Sequence, residues 1–201
     1  MAILYSYKLN FCSNKHTTIS ISSSYSLSKS YISLMFNNSR SISVTQKIDS
    51  SALGLWEIIS KPGNLNLTHP FCKKNDIIKW DGKGSKDILI YLNGLTYFRE
   101  ITDWNNQKGY SLIIGRKRGP KSKVIWQINS TNNSVFLTIT VYPYLLNNWP
   151  KIISWLPFVL YIKPKLENYL NSVIGGINWY LINNKPVPKN YFGTHSWFSK
   201  I

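Results

Sequence analysis

Few side chains in this sequence could do acid–base or metal chemistry, and those few stand far apart. Histidines occur at positions 16, 69 and 195, and cysteines at positions 12 and 72. These isolated residues have no metal-ligand spacing, so the sequence predicts no metal site. It also lacks a glycine-rich phosphate loop and a G-x-S-x-G nucleophile elbow, so no cofactor is expected.

His69, directly before Pro70, is a candidate catalytic residue near the expected mouth of a cavity. As a general base it would need a proton donor within hydrogen-bond reach and a suitable pKa. The alternative is a structural histidine that caps a turn. His195 lies in a glycine- and aromatic-rich tail, where packing against the domain is the expected role.

Arg99 is the second candidate, because it stands among apolar neighbours on a predicted strand. Arg99 and Glu100 are adjacent, so their side chains face opposite sides of that strand. Tyr97 shares the face of Arg99 and Phe98 shares the face of Glu100, so neither face is plainly polar. The favoured interpretation is therefore a snorkelling or rim position for these charges. The alternative is that one of them points into the barrel, where it would need a partner and could anchor a ligand.

Aromatic side chains on the predicted strands are the candidates for lining a ligand cavity. A tyrosine hydroxyl or a tryptophan N–H inside an apolar pocket would orient a carbonyl or hydroxyl group of the ligand. Core packing is the alternative role for each of them. The candidate ligand-binding residues are Trp80, Tyr91, Tyr97, Arg99, Trp126, Phe136 and Tyr142, together with Gly175 and Gly176 on the last helix.

The elements that must position these residues follow a clear order. Residues 41–48 alternate apolar and polar side chains, which predicts a half-buried strand. Two short helical segments follow, separated by Pro62 and Gly63. Asn93-Gly94 predicts a tight hairpin with a primed turn. Six further strands, separated by turn residues, are predicted at residues 76–80, 86–92, 95–104, 110–114, 123–129 and 135–142.

The first helical segment has a predicted cap and a predicted inner face. Asp49 or Ser50 can cap its N-terminus. Leu53, Trp56 and Ile59 are spaced to share one side of the helix, which we expect to pack on the sheet.

The chain is expected to close with one long helix at residues 164–183. Leu166, Leu170, Val173, Ile177 and Leu181 recur every three or four residues and make a continuous apolar stripe. Gly175 and Gly176 interrupt this helix, either to allow close packing on the sheet or to leave space for a ligand. Two helical segments, six strands and a long helix after a first strand form an α+β pattern.

This element order resembles the SRPBCC superfamily, which includes START-like lipid-transfer domains, pollen-allergen-like proteins and polyketide cyclases. The resemblance spans residues 41–183, and the residues that carry it are 55–65, LWEIISKPGNL, and 68–71, THPF. The closing residues 191–199, YFGTHSWFS, resemble the tail of one subgroup. The resemblance implies a helix-grip fold, in which a seven-stranded curved antiparallel sheet wraps around a long C-terminal helix beside a deep apolar cavity. It does not imply one reaction, because members include binders, carriers and a few enzymes.

Composition and charge narrow the range of partners. The chain is 43% hydrophobic and 14% aromatic, as expected of a globular protein, and its net charge is +16. This charge could attract nucleic acid or an anionic lipid surface. The basic residues are dispersed except at residues 116–123, which we interpret as a solvated hairpin turn. With no nucleic-acid-binding motif beside it, nucleic acid is not an expected partner.

Residues 1–39 are predicted to be a leader, because they are serine-rich and the first acidic residue is Asp49. Such leaders resemble plastid or mitochondrial transit peptides; a disordered leader and translation from Met35 are the alternatives. Residues 40–183 are the predicted ligand-binding domain, and residues 184–201 are a tail that packs on it. The expected location is therefore cytoplasmic, or plastid or mitochondrial. The longest apolar stretch, residues 152–162, is about half a membrane span, so no transmembrane helix is predicted.

Three functional hypotheses follow. The first is a binder or carrier of a hydrophobic small molecule, such as a lipid, an isoprenoid or a polyketide-like compound. The second is a cyclase- or dehydratase-like enzyme in which His69, Arg99 or a tyrosine polarises the substrate. The third is a peripheral membrane protein that docks through apolar residues near the last helix, namely Trp149, Trp155, Leu156 and Phe158, and through nearby lysines. The alternative for this segment is a lid that folds over one end of the sheet.

Overall fold

Our computed structural model of the chain describes residues 40–146 and 149–200. The predicted leader, residues 1–39, lies outside the described residues. The strands are β1 (Ile42–Ile48), β2 (Cys72–Lys79), β3 (Lys86–Tyr91), β4 (Thr96–Asn105), β5 (Gly109–Gly115), β6 (Lys121–Thr131) and β7 (Ser134–Tyr142). The helices are α1 (Ala52–Ser60), α2 (Leu65–Thr68), α3 (Lys151–Pro157), a π-helical turn (Phe158–Ile162) and α4 (Lys163–Asn183).

The strands form one seven-stranded antiparallel sheet in the order β1-β7-β6-β5-β4-β3-β2. From β2 to β7 each strand pairs with the next along the chain, as short hairpin connections require. The first strand pairs with the last, and Ile42 lies opposite Val141. The predicted helix-grip α+β architecture, with two short helices after the first strand and a long helix at the end, is confirmed.

The turn between β3 and β4 differs in type from the prediction. The Tyr91 carbonyl accepts a hydrogen bond from the Gly94 N–H at 2.9 Å, and the Tyr91 N–H donates to the Leu95 carbonyl, also at 2.9 Å. Gly94 has a positive φ of 86°, whereas Asn93 is not among the residues with positive φ. The connection is therefore a three-residue hairpin loop with glycine in the bulge position, and not a two-residue primed turn.

The first helix starts slightly later than predicted. Ser51 is its N-cap, and its hydroxyl accepts a hydrogen bond from the Gly54 N–H at 3.0 Å. The buried side chains of α1 are Leu55, Trp56 and Ile59. Leu53, which we predicted on the inner face, is exposed, because the helix turns the face of residues 55, 56 and 59 toward the sheet.

The helical backbone before α4 begins earlier than the sequence suggests. Pro150 is the N-cap of α3 and Pro157 its last residue, and α3, the π-helical turn and α4 follow one another without a break. The Lys163 N–H donates to the Phe158 carbonyl, five residues earlier, as in a π-helix. In the part of the chain that the structure describes, no helix is long and apolar enough to cross a membrane.

The inner face of the sheet and one side of α4 enclose the core. Along β7, Leu137, Ile139 and Val141 are buried while the residues between them are partly exposed, which is the two-residue period of a half-buried strand. The apolar stripe of α4 packs against that face through the buried residues Leu166, Leu170, Val173, Ile174 and Ile177.

The tail after α4 returns to the domain through backbone hydrogen bonds. The Val187 N–H donates to the Leu67 carbonyl at 2.8 Å, and the Asn190 N–H donates to the Pro70 carbonyl at 3.0 Å. Further along, the Asn93 side chain donates to the Trp197 carbonyl at 2.8 Å. His195 is buried in this tail, and its Nε2 lies 3.0 Å from the Lys165 carbonyl oxygen. The tail is thus hydrogen-bonded to α2 and the residues after it, to the β3–β4 turn and to α4.

Candidate functional site

A cavity of about 590 Å³ lies between the inner face of the sheet and α4. Small-molecule sites typically measure about 300–1,000 Å³. Most of the lining is aliphatic or aromatic and comes from the sheet, from α4 and from the tail. The sheet contributes Leu89, Leu112, Ile114, Val124, Trp126, Ile139 and Val141, α4 contributes Leu166, Leu170 and Val173, and the tail contributes Trp197 and Phe198.

Three polar side chains in the lining form a hydrogen-bonded chain. The Nε2 of His69 lies 2.9 Å from the Tyr169 hydroxyl, which in turn lies 3.1 Å from the Tyr91 hydroxyl. His69 follows α2, Tyr91 ends β3 and Tyr169 lies on α4, so three separate elements meet here. His69 and Tyr91 are buried. His69 therefore belongs to the buried wall of the cavity, and not to its mouth as we expected.

The hydrogen bonds of His69 assign its tautomer. Its Nδ1 accepts a hydrogen bond from the Phe71 N–H at 3.1 Å, so Nδ1 carries a lone pair. In the neutral imidazole the hydrogen then sits on Nε2, which donates to the Tyr169 hydroxyl. Burial, with a smaller contribution from the charge of Arg99, lowers the pKa of His69 to about 3, so the ring is neutral at pH 7. Both ring nitrogens are engaged in holding the site together.

The hydroxyls of Tyr91 and Tyr169 carry two hydrogens, and the hydrogen bond between them uses only one. Since Tyr169 accepts from His69, the tyrosine pair shares one hydroxyl hydrogen between its two oxygens. The other hydroxyl hydrogen has no acceptor among the described residues. Burial raises the pKa of Tyr91 and of Tyr169 well above the ordinary value, so both phenols stay protonated. The cavity wall thus offers one hydroxyl donor to whatever occupies the space beside it.

Arg99 also lines the cavity, and Asp87 neutralises it. Arg99 Nε and Nη2 donate to the two carboxylate oxygens of Asp87 at 2.8 and 2.6 Å. Burial alone would lower the pKa of Arg99, but the charge and the hydrogen bonds of Asp87 outweigh it and raise that pKa. Arg99 is buried, so the favoured rim position is wrong for this residue and the alternative of an inward charge applies. Asp87 is the partner that such a charge needs.

The mouth of the cavity lies where its lining is partly exposed. Tyr144, Leu145 and Leu146 follow β7, and Tyr161 belongs to the π-helical turn; all four line the cavity and none is buried. Tyr97 lines it nearby, and burial together with Tyr144 raises the pKa of Tyr97 to about 12. The site therefore has a buried polar wall and a separate, mostly apolar opening.

The structure brings some of the predicted residues together and separates others. Tyr91, Tyr97, Arg99 and Trp126 line the cavity together with His69. That any of them binds a ligand stays a prediction.

The other candidates lie elsewhere. Trp80 donates its Nε1–H to the Ser60 carbonyl at 2.8 Å. Phe136 and Tyr142 alternate with the buried residues of β7 and so lie on the outer face of the sheet. Gly175 approaches Phe192 of the tail, and Gly176 approaches Thr68 and Pro70, so neither glycine leaves room for a ligand.

Sequence reasoning missed the residues that complete the wall. Tyr169 lies one turn from Leu166 and from Val173, so the apolar stripe of α4 could have identified it. Trp197 and Phe198 come from a tail without periodicity, and no local pattern indicates that they reach the cavity.

Comparison with known proteins identifies the fold. No protein-family model and no curated protein matches the chain. Among solved structures, it resembles DynU16, a protein of the dynemicin biosynthetic locus, with a TM-score of 0.56 and 14% identity over 73% of this chain and 48% of DynU16. The chain thus spans about half the length of DynU16.

Two further solved structures are similar. CalU16 from Micromonospora echinospora has a TM-score of 0.51 and 11% identity over 73% of this chain and 78% of CalU16. Ara h 8.0201 has a TM-score of 0.52 and 10% identity over 72% of this chain and 99% of its own. At such identities the likeness shows the fold alone, and it confirms the helix-grip fold that the resemblance to the SRPBCC superfamily implies.

Proposed function

We propose that this protein binds or carries one hydrophobic small molecule, of a lipid, isoprenoid or polyketide-like kind, in the cavity between the sheet and α4. The observation that carries the proposal is the cavity of about 590 Å³, whose lining is mostly aliphatic and aromatic. Burial of the ligand's apolar surface contributes about 25 cal/mol per Å², which is enough to drive binding without a charged anchor.

The hydrogen bonds of His69 favour binding over catalysis. A cyclase- or dehydratase-like reaction that uses His69 as general base requires a ring nitrogen that can accept a proton. The Nδ1 lone pair of His69 accepts from the Phe71 N–H, and its Nε2–H faces Tyr169. His69 is therefore a positioning group for the tyrosine hydroxyls and not a base directed at a ligand.

The test is to fill the cavity without disturbing the fold. Ile114 lines the cavity, whereas Ile113, its neighbour on β5, has its side chain on the opposite face of the sheet. In the full chain, Ile114→Trp should abolish uptake of Nile red, an uncharged apolar dye, while Ile113→Trp should leave uptake unchanged. Both variants should keep the circular dichroism spectrum of the parent. Absence of dye uptake by the parent, or equal uptake by both variants, would overturn the proposal.

A second proposal is that the protein meets an anionic lipid surface through an apolar ridge on α3 and the π-helical turn. We define the apolar ridge as Ile152, Ile153, Trp155, Leu156 and Leu160, all of which are exposed, with Ile152 at 91% and Leu160 at 67%. In the same segment the polar Ser154 is buried, and its hydroxyl accepts a hydrogen bond from Arg40 at 2.7 Å. Within α3 the usual polarity of a surface helix is thus inverted, whereas the π-helical turn buries Phe158 and Ile162.

Charge and position favour a membrane as the partner of the apolar ridge. Lys163 and Lys165 follow it directly, and the chain as a whole carries a net charge of +16. Basic residues beside apolar side chains are typical of segments that dock on anionic bilayers. Pro157 and Tyr161 lie within the same segment and line the cavity, so the surface that meets the lipid would adjoin the cavity mouth.

Vesicle flotation tests this second proposal. The full chain should float with vesicles containing phosphatidylserine at low salt, and Trp155→Ser with Leu160→Ser should abolish flotation. Ile182→Ser is the matched control, because Ile182 is exposed at the other end of α4. Phe158, which we predicted in the contact set, is buried beneath the Arg40 guanidinium and is unsuitable for this test. Failure of the parent to float, or equal loss in the control, would overturn docking.

A further inference from the structure

We propose that the buried wall of the cavity selects an uncharged ligand that carries a hydrogen-bond acceptor, such as a carbonyl or hydroxyl oxygen, and discriminates against carboxylates. This inference rests on the proposed binding function and adds the chemical class of the ligand.

The first step is the donor that the wall presents. The hydroxyls of Tyr91 and Tyr169 lie 3.1 Å apart, and His69 occupies one acceptor position of Tyr169. Whichever tyrosine donates to the other, the remaining hydroxyl hydrogen is unused by the described residues. A buried donor without an acceptor costs free energy, so a ligand oxygen beside this pair is stabilised by accepting the unused hydroxyl hydrogen.

The second step is the charge of the wall. Among the described residues that line this cavity, Arg99 is the only cation, and Asp87 neutralises it through two hydrogen bonds at 2.8 and 2.6 Å. The imidazole of His69 and the two phenols are neutral. Lys189 also acts on His69, but Lys189 is exposed, so water and salt screen its charge.

A carboxylate placed against this wall would lose its water without gaining a counterion. It would also approach the carboxylate of Asp87, which is held 2.6 Å from the Arg99 Nη2. An uncharged carbonyl loses far less hydration and can accept the free hydroxyl hydrogen. Of two ligands with equally long apolar chains, the one with a carbonyl group should therefore bind more tightly than the one with a carboxylate.

The experiment compares three ligands of one chain length in displacement of Nile red from the full chain: a long-chain methyl ketone, the corresponding carboxylate and the corresponding alkane. The ketone should bind about tenfold more tightly than either of the others, the ratio expected of one buried hydrogen bond. Equal or tighter binding of the carboxylate overturns the inference but leaves the proposed function standing. If none of the three displaces dye and the dye itself does not bind, the proposed function fails instead.

Tyrosine variants assign the effect to the hydroxyl pair. Tyr91→Phe or Tyr169→Phe alone leaves one hydroxyl that can still donate, so each should keep most of the preference for ketone over alkane. Removing both hydroxyls also frees the Nε2–H of His69, which otherwise donates to Tyr169, so the double variant is combined with His69→Leu. This variant should lose the preference, about tenfold, while still binding the alkane. Tyr142→Phe, on the outer face of the sheet, is the control and should match the parent. Full preference in a folded variant that lacks both hydroxyls and His69 overturns the inference.

A charge variant provides an independent measurement. Asp87→Asn leaves Arg99 without its counterion, so the ratio of carboxylate to ketone affinity should rise about tenfold or more relative to the parent. An unchanged ratio in folded protein overturns the role assigned to the neutral wall.

Discussion

Arg99 on β4 and Asp87 on β3 are directly paired in the sheet. Their side chains form a bidentate ion pair that is almost completely buried. The exposed fractions of the two side chains are 4% and 1%. Removing such charges from water is costly, and the pair is tolerated because its geometry returns two short charge-assisted hydrogen bonds. The pair also leaves this part of the cavity wall electrically neutral.

Asp87→Asn should therefore lower the free energy of unfolding by about 3–5 kcal/mol, since it leaves the Arg99 charge buried without a partner. Urea denaturation of the full chain measures this loss.

The adjacent pair on the same two strands serves as its control. Lys86 and Glu100 are also directly paired, with Nζ and Oε1 3.4 Å apart, but both side chains are about half exposed. Glu100→Gln should cost less than about 1 kcal/mol. Similar losses of unfolding free energy for Asp87→Asn and Glu100→Gln would contradict the larger cost expected from breaking the buried pair.

His69 should make stability depend on pH in a defined direction. Burial lowers the pKa of His69 from 6.5 to about 3, so in this interval the unfolded chain binds a proton that the folded chain does not. The stability that neutral His69 provides is complete above pH 6.5 and is lost as the pH falls toward 3. The expected loss from this residue is about 1.4 kcal/mol per pH unit.

The measurement compares urea denaturation of the parent and of His69→Gln at several pH values between about 6.5 and 4. The other ionisable groups are the same in both proteins, so the difference between the two curves isolates His69. The variant should show the shallower dependence on pH. Parallel curves would mean that His69 is protonated in the folded protein as readily as in the unfolded chain.

Much of the fold could be predicted from the sequence, because strand alternation and turn residues are local signals. The seven strands, the two short helices and the closing helix all occur where the pattern placed them, with shifted ends. Among the strands the largest shift is at β2, which begins at Cys72. The prediction missed its first residues because Lys73 and Lys74 interrupt the alternation beside an irregularity in the pairing. Turn type was predicted less well, since the backbone conformation of Asn93 is decided by the strands it connects.

The site was harder to predict, because it depends on contacts between distant parts of the chain. The inward direction of Arg99 does not follow from its own strand, because neither face of that strand is plainly polar. Its partner Asp87 follows only from the register of two strands. The link from His69 to Tyr169 joins positions 100 residues apart. No periodicity within the sequence contains that information.

Trp56 should be a principal anchor of α1 on the sheet. Its side chain is buried and its ring meets Trp104 edge-on, with the ring centroids 5.1 Å apart. Trp56→Ala should cost about 3–5 kcal/mol of unfolding free energy. Leu53→Ala, on the exposed side of the same helix, should change stability by no more than about 0.5 kcal/mol. A loss below about 1 kcal/mol for Trp56 would show that α1 packs differently.

The two glycines of α4 should respond differently to substitution, because they approach different neighbours. A Cβ at Gly176 would overlap the Thr68 carbonyl oxygen and lie 3.0 Å from Pro70 Cδ, so the backbone after α2 would have to move. Gly176→Ala should therefore cost about 1–3 kcal/mol of unfolding free energy, as overpacking usually does.

Gly175→Ala is the matched comparison one residue away. Its Cβ would meet only the ring of Phe192, at 2.9 Å, and Phe192 is partly exposed and can rotate aside. Alanine is also the better helix former by about 1 kcal/mol, so this variant should stay within about 1 kcal/mol of the parent. Because both glycines face away from the cavity, each folded variant should take up Nile red as the parent does. Reduced uptake by folded Gly176→Ala would restore the idea that these glycines border the ligand, whereas equal stability of the two variants would contradict the close approach of α4 to Thr68.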